Sequence, residues 1–161
     1  MIEVRNVYKS FNGKEVLKDI SFTFEAGKTN LIIGQSGSGK TVLMKSVIGI
    51  HQVDKGQILY NGRDFTKMSN KETALLRQEI GMLFQGSALF DSMTVEENVR
   101  FPLEMFSDKT RKEWEKRVAF CLDRVGLSHA AKLFPSEISG GMQKRAAIAR
   151  AIVLEPTYLF C

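Results

Sequence analysis

Gly34-Gln35-Ser36-Gly37-Ser38-Gly39-Lys40-Thr41 concentrates residue types that together suit one task, the binding of phosphate. The pattern is G-x-x-x-x-G-K-[ST]. Glycines let a backbone curl tightly enough for successive N–H groups to point at one anion. The loop feeds a helix whose N-terminal partial positive charge also favours phosphate. Lys40 adds a point charge for the outer phosphates, and the Thr41 hydroxyl is placed to ligate Mg²⁺. A flexible Gly/Ser loop with an accidental lysine is the plain alternative. Against it stands the context: an apolar stretch before, Lys28 to Ile33, expected as a strand, and an amphipathic helix after, Thr41 to Ile50. Such loops occur in many phosphate-handling proteins, so the motif alone does not choose among them.

A second glycine motif narrows the choice. Ser139-Gly140-Gly141-Met142-Gln143 precedes an apolar helix ending near Leu154. Glycines cost about 1 kcal/mol each in a helix interior, so a pair at a helix start suits bare N–H groups approaching something negative. Taken alone, a simple loop with Ser139 as N-cap fits equally well. Taken with the phosphate loop, Ile138 to Gln143 resembles the LSGGQ signature of ABC transporter ATP-binding subunits. Gly34 to Thr41 is then similar to their Walker A motif. Gln85, ending the apolar run Ile80 to Phe84, resembles their Q-loop glutamine. Phe11 stands where that family has an aromatic residue, with Val16 beside it. The resemblance extends from Ile2 to Cys161.

This resemblance implies an α/β fold: a P-loop NTPase (RecA-like) core with an antiparallel β-subdomain and an inserted helical subdomain. The expected division is residues 1–86 and 136–161 for core and β-subdomain, and 87–135 for the helices. It implies ATP and Mg²⁺ as ligands and a second copy of the subunit as partner. Phe11 and Val16 would meet the base. Gln35, Ser36, Gly37, Ser38 and Gly39 with Lys40 would hold the phosphates, and Lys40 and Gln85 would serve catalysis. Thr41 and Gln85 would touch the metal. Ser139, Gly140, Gly141, Met142 and Gln143 would face the nucleotide of the other copy. An integral membrane permease would be the other partner, placing the protein on the cytoplasmic face of the cell membrane. Gly86 to Val95 resembles the branch serving phospholipid transport that maintains lipid asymmetry. The alternative is a soluble ABC-type ATPase uncoupled from transport, although the compact spacing shows no large insertion or tandem cassette. Ile138 for Leu, Met142 within the signature and Phe11 for Tyr are mild departures. The family's Walker B aspartate and catalytic glutamate, which follow a strand like Tyr158 to Cys161, are expected beyond Cys161, and the 161-residue chain is expected to bind ATP without hydrolysing it.

The elements that position these motifs are legible from pattern. Ile2 to Val7 and Val16 to Phe24 read as strands around an Asn12-Gly13 turn, and Gln57 to Tyr60 as another before Asn61-Gly62. Capping boxes at Ser69/Glu72, Thr94/Glu97 and Thr110/Glu113 start three helices. Phe90 to Phe134 should be mostly helical, and Tyr158 to Cys161 a buried strand. The chain is 43% hydrophobic and 25% charged, in keeping with a packed domain. The net charge of +5 centres on Lys109, Arg111, Lys112, Lys116 and Arg117, but Glu113 and Glu115 interrupt the cluster. A solvated helix face is expected there and no nucleic acid. Cys121 and Cys161 read as buried thiols, and His51 and His129 as structural or surface residues.

Overall fold

The computed structural model describes residues 1–83 and 86–161. The chain forms two compact units, residues 1–74 and 75–161.

The first unit is built on an antiparallel sheet. β1 (Ile2–Phe11) and β2 (Lys14–Phe24) form a hairpin, with β3 (Lys55–Tyr60) on the other edge of β1 and the short β4 (Arg63–Asp64) beyond it. The turn Asn12-Gly13 has φ of 49° and 77°, the mirror-image geometry that matches strand twist. Ile2 and Val4 are buried at alternate positions, and Val7 is buried three residues on, past an irregularity in the register with β2, as a sheet with one packed face requires. α1 (Lys40–Val47) is anchored at its far end by the buried Tyr60 hydroxyl, which donates to Val47 O at 2.8 Å.

One expected strand is missing. Lys28 to Ile33 belongs to neither sheet, and Leu31 and Ile33 are 80% and 84% exposed. A strand needs a ladder partner for its N–H and C=O groups, and among the described residues none lies beside this stretch. The Asn30 side chain turns the backbone instead, donating to Glu25 O and Lys28 O and accepting from Glu25 N.

α2 (Asn70–Gln78) spans the division between the units. The second unit is mainly helical, with α3 (Val95–Phe106), α4 (Arg111–Arg124) and α5 (Gly140–Ile152). All three expected capping boxes form, the Glu side chain accepting from the N-cap amide at 2.7–2.8 Å in each. Val95, Val99, Leu103, Val118, Leu122 and Leu127 pack with Ala146 and Ala149 of α5 in one core. β5 (Ile80–Met82) pairs in parallel with β6 (Tyr158–Phe160). Gly81 is required where α5 crosses β5, because a Cβ there would lie 2.5 Å from Ala151 O.

β6 is only half-buried, with Leu159 49% exposed, so the expected buried strand is corrected: among the described residues it pairs with β5 alone, which leaves its other edge open. Cys121 is buried as expected, but Cys161 is exposed. The basic residues of α4 are solvated except Arg117, whose guanidinium caps α5 by donating to Val153 O and Ile152 O.

Candidate functional site

The phosphate loop takes its shape from its own backbone. Gly37 and Gly39 hold φ of 80° and 90°, values that disfavour any side chain. At Gly39 a Cβ would also sit 3.1 Å from Val16 O and from Leu17 Cδ2, so the loop's end is pressed against β2. Val16, half-buried, thereby supports the loop. Ser38 N donates to Gln35 O at 3.2 Å, closing the loop's central turn. Lys40 Nζ donates to Gly34 O at 2.6 Å and Gln35 O at 2.7 Å. Its ammonium therefore spans the loop mouth, where an incoming phosphate could replace these carbonyls. Gln35, Ser36 and Ser38 are exposed, as is Thr41 in the first turn of α1. The first amides of α1 have no intrahelical acceptor, and its first turn carries no acidic residue. Clustered donors, a lysine and a hydroxyl fit a phosphate group with its metal.

Phe11 ends β1 with 39% of its surface exposed. Its ring meets His51 edge-on at 5.2 Å between centroids, and Lys9 Nζ lies 5.3 Å from its centre. Lys9 is fixed by Asp54 at 2.7 Å, and Asp54 also accepts from Ser10 N at 2.6 Å. The Lys9 bond and then the Ser10 amide hold the Asp54 carboxyl below its ordinary pKa. His51, Lys9 and Asp54 had no motif to announce them; only the fold brings them to Phe11.

The second glycine motif is built on a packed helix. Ser139 caps α5, its Oγ accepting from Met142 N at 3.3 Å. Ser139, Gly140 and Gly141 are exposed. A Cβ on Gly140 would touch nothing, and one on Gly141 would meet only Ser139 Oγ at 4.0 Å. Among the described residues nothing demands glycine at either position. Met142 and Gln143 point the other way: Met142 packs against the core, and Gln143 Nε2 donates to Pro135 O at 2.8 Å. Of the five signature residues, three face outward and two hold the helix from beneath. Gln85 lies outside the described residues. Arg150, which carried no role in the sequence reading, binds the backbone of Ser87 and Ala88, more than 60 positions back along the chain.

A glycine loop folded around its own lysine at a helix N-terminus, with a second capped glycine helix downstream, defines a P-loop NTPase of the cassette type. A family model described as ABC transporter matches residues 17–161, and the chain belongs to that family. Among curated relatives, the probable ribonucleotide transport ATP-binding protein mkl of Mycobacterium leprae (strain TN) is 42% identical over 160 residues, 99% of this chain and 46% of that protein. Methionine import ATP-binding protein MetN 1 of Staphylococcus aureus (strain USA300) is 42% identical over 165 residues, 100% of this chain and 48% of that protein. The chain thus spans just under half the length of these relatives. Among solved structures, the dimeric bacterial ABC transporter cassette MJ0796 superposes with a TM-score of 0.88 at 30% identity, covering 99% of this chain and 72% of that one. The same cassette in a dimeric post-hydrolysis state with ADP and Pi gives 0.87 at 28% identity, with the same coverage. The cbiO1 protein of Clostridium perfringens, part of the transporter complex cbiONQ, gives 0.88 at 30% identity, covering 98% and 63%. The fold is that of the ABC ATPase cassettes.

Proposed function

We propose that this chain is the nucleotide-binding part of an ABC transporter subunit that uses ATP and Mg²⁺ to energise a membrane permease. The observation that carries this reading is the loop Gly34 to Thr41, with Lys40 held across the Gly34 and Gln35 carbonyls at the start of α1. On this reading the loop amides and Lys40 take the phosphates, Thr41 and Gln85 take the metal, and Phe11 with Val16 takes the base. Metal-bound nucleotide supplies the hydrolysable phosphoanhydride. Gly140 and Gly141 support a second copy as partner, because their open surfaces fit a ligand delivered from outside the chain. The dimeric cassettes with similar fold support the same arrangement. Residues 87–135 would serve as the helical subdomain, with 1–86 and 136–161 as core and β-subdomain.

Phe90, Met105 and Phe106 are 42%, 58% and 52% exposed, and Phe90 packs edge-on against Phe101 at 4.9 Å. These apolar side chains favour contact with a permease, which would hold the protein at the inner membrane face. No helix among the described residues is long and apolar enough to cross a membrane. As to cargo, the stretch Gly86 to Val95 supports phospholipid, whereas the curated relatives are named for ribonucleotide and methionine transport.

Isothermal calorimetry with MgATP tests the reading on the 161-residue chain. Micromolar binding, lost on removing Mg²⁺ and weakened roughly ten- to hundred-fold by Lys40→Ala, is the expected result. Heats independent of Lys40 would overturn it.

A further inference from the structure

Gln143 and Arg150 stand two turns apart on α5 and reach the same short segment. Arg150 donates through Nη1 to Ala88 O at 2.9 Å and through Nη2 to Ser87 O at 3.1 Å. Its guanidinium lies 5.8 Å from the Phe90 ring centre. Gln143 Oε1 accepts from the Ser87 hydroxyl at 3.4 Å. Ala88 holds φ of 48°, a left-handed conformation uncommon for residues with a Cβ, so its carbonyl direction needs a restraint. A second clasp comes from α3. The fully buried Asn98 accepts from Phe90 N at 2.8 Å and donates to Phe90 O, Met93 O and Thr94 O, each at 3.0 Å.

An arginine buried enough to have its pKa lowered by desolvation is costly to keep. Here it contacts two backbone carbonyls that only a planar fork can reach together. We infer that Arg150 is a positioning residue that locks the segment directly after Gln85 to the signature helix, so that the two respond to nucleotide as one piece. A change at Ser139–Gly141 is then carried along α5 to Ser87 and Ala88. The inference rests on the nucleotide roles proposed above for Gln85 and Ser139–Gly141.

Hydrogen–deuterium exchange on the full chain, with and without MgATP, tests it. In Arg150→Gln, the Phe90 and Met93 amides should exchange about ten-fold faster or more, while the core amides of α3 and α4 keep their wild-type rates. Arg150→Lys, which reaches one carbonyl, should fall between. In the wild type MgATP should slow exchange at 86–93 and at 140–143 together, and in Arg150→Gln the two responses should separate. Unchanged exchange at Phe90 and Met93 would overturn the inference, as would a uniform rise across residues 75–161, which marks a merely structural role. Should the glutamine variant not fold, the lysine variant decides: full wild-type protection would show that the two-carbonyl fork is not needed. Absence of MgATP protection at 34–41 in the wild type would sink the nucleotide reading itself, separately from the comparison made without nucleotide.

Discussion

The proposed phosphate loop and signature helix both present small residues at the surface, yet they are supported differently. At Gly34 to Thr41 the conformation lies in two left-handed glycines and one lysine folded over its own loop. The stretch leading into it, Lys28 to Ile33, has no strand beside it among the described residues. At Ser139 to Gly141 the backbone is ordinary helix start, and its placement comes from below. Ile138, Ala146 and Ala149 sit in the buried core, and Gln143 and Arg150 tie the helix to Ser87 and Ala88, far away in sequence. A loop of the first kind can reshape around a ligand. A helix of the second kind moves as a body, carrying its glycines with it.

The largest expected effect probes that difference directly. Leu127 is fully buried beneath α5, and Leu127→Ala should cost about 2–5 kcal/mol through lost contacts and a cavity. Leu31→Ser and Ile33→Ser, at sites 80% and 84% exposed, should each change stability by no more than about 0.5 kcal/mol. Urea unfolding followed by circular dichroism would measure both. Equal losses at the two places would show that the approach to the phosphate loop is packed after all.

Next in size, Lys40→Ala should weaken MgATP binding by about 1.5–3 kcal/mol, or roughly ten- to hundred-fold, with the urea midpoint unchanged. Its ammonium touches only Gly34 O and Gln35 O among the described residues. A drop in stability as large as the drop in affinity would make Lys40 a structural residue and blur the contrast.

Asn98→Ala tests the other side and should cost about 1–3 kcal/mol. The variant takes the side-chain acceptor from the Phe90 amide and the side-chain donor from Met93 O, while Phe90 O keeps Met93 N and Thr94 O keeps the backbone amide of residue 98. Nucleotide affinity should change less than in Lys40→Ala, since the clasp holds Phe90 to Thr94 and not the loop Gly34 to Thr41. Thermal unfolding paired with calorimetry would separate the two readouts.

What could be read from the sequence divides along the same line. The three capping boxes, the Asn12-Gly13 hairpin and the loop Gly34 to Thr41 depend on neighbours within a few residues, so their residue types announce them. Lys28 to Ile33 shows the limit. Its β-prone residues say that a strand is affordable, but only a partner strand makes one. The outward face of Ser139 to Gly141 was legible because two adjacent glycines at a helix start are locally unfavourable. The inward turn of Met142 and Gln143 was not, since it depends on Pro135 and on the helical core. Nor was Arg150: one more basic residue in a helix has no local pattern marking it as the holder of Ser87 and Ala88.

The smallest effect concerns pH and the start of α3. The Glu97 carboxylate accepts from the Thr94 amide at 2.7 Å and from its hydroxyl at 2.8 Å, and these two bonds, the amide first, lower its pKa. Both bonds need the ionised form at full strength. A carboxyl whose folded pKa lies below its unfolded value of about 4.3 contributes stability that is fully present above that value. The contribution fades as pH falls through the lower, folded pKa, because the unfolded chain takes up the proton first. Glu72 and Glu113, held in the same way by Ser69 and Thr110, act in the same direction. Glu97→Gln keeps an acceptor for the capping box but removes the charge, so it isolates this part. At pH 6.5 the variant should unfold at a slightly lower temperature than wild type. At pH 3 the difference should shrink toward zero, since wild-type Glu97 is then losing its charge too. A gap that stays constant between the two pH values would mean that hydrogen bonding alone, without the carboxylate charge, caps α3.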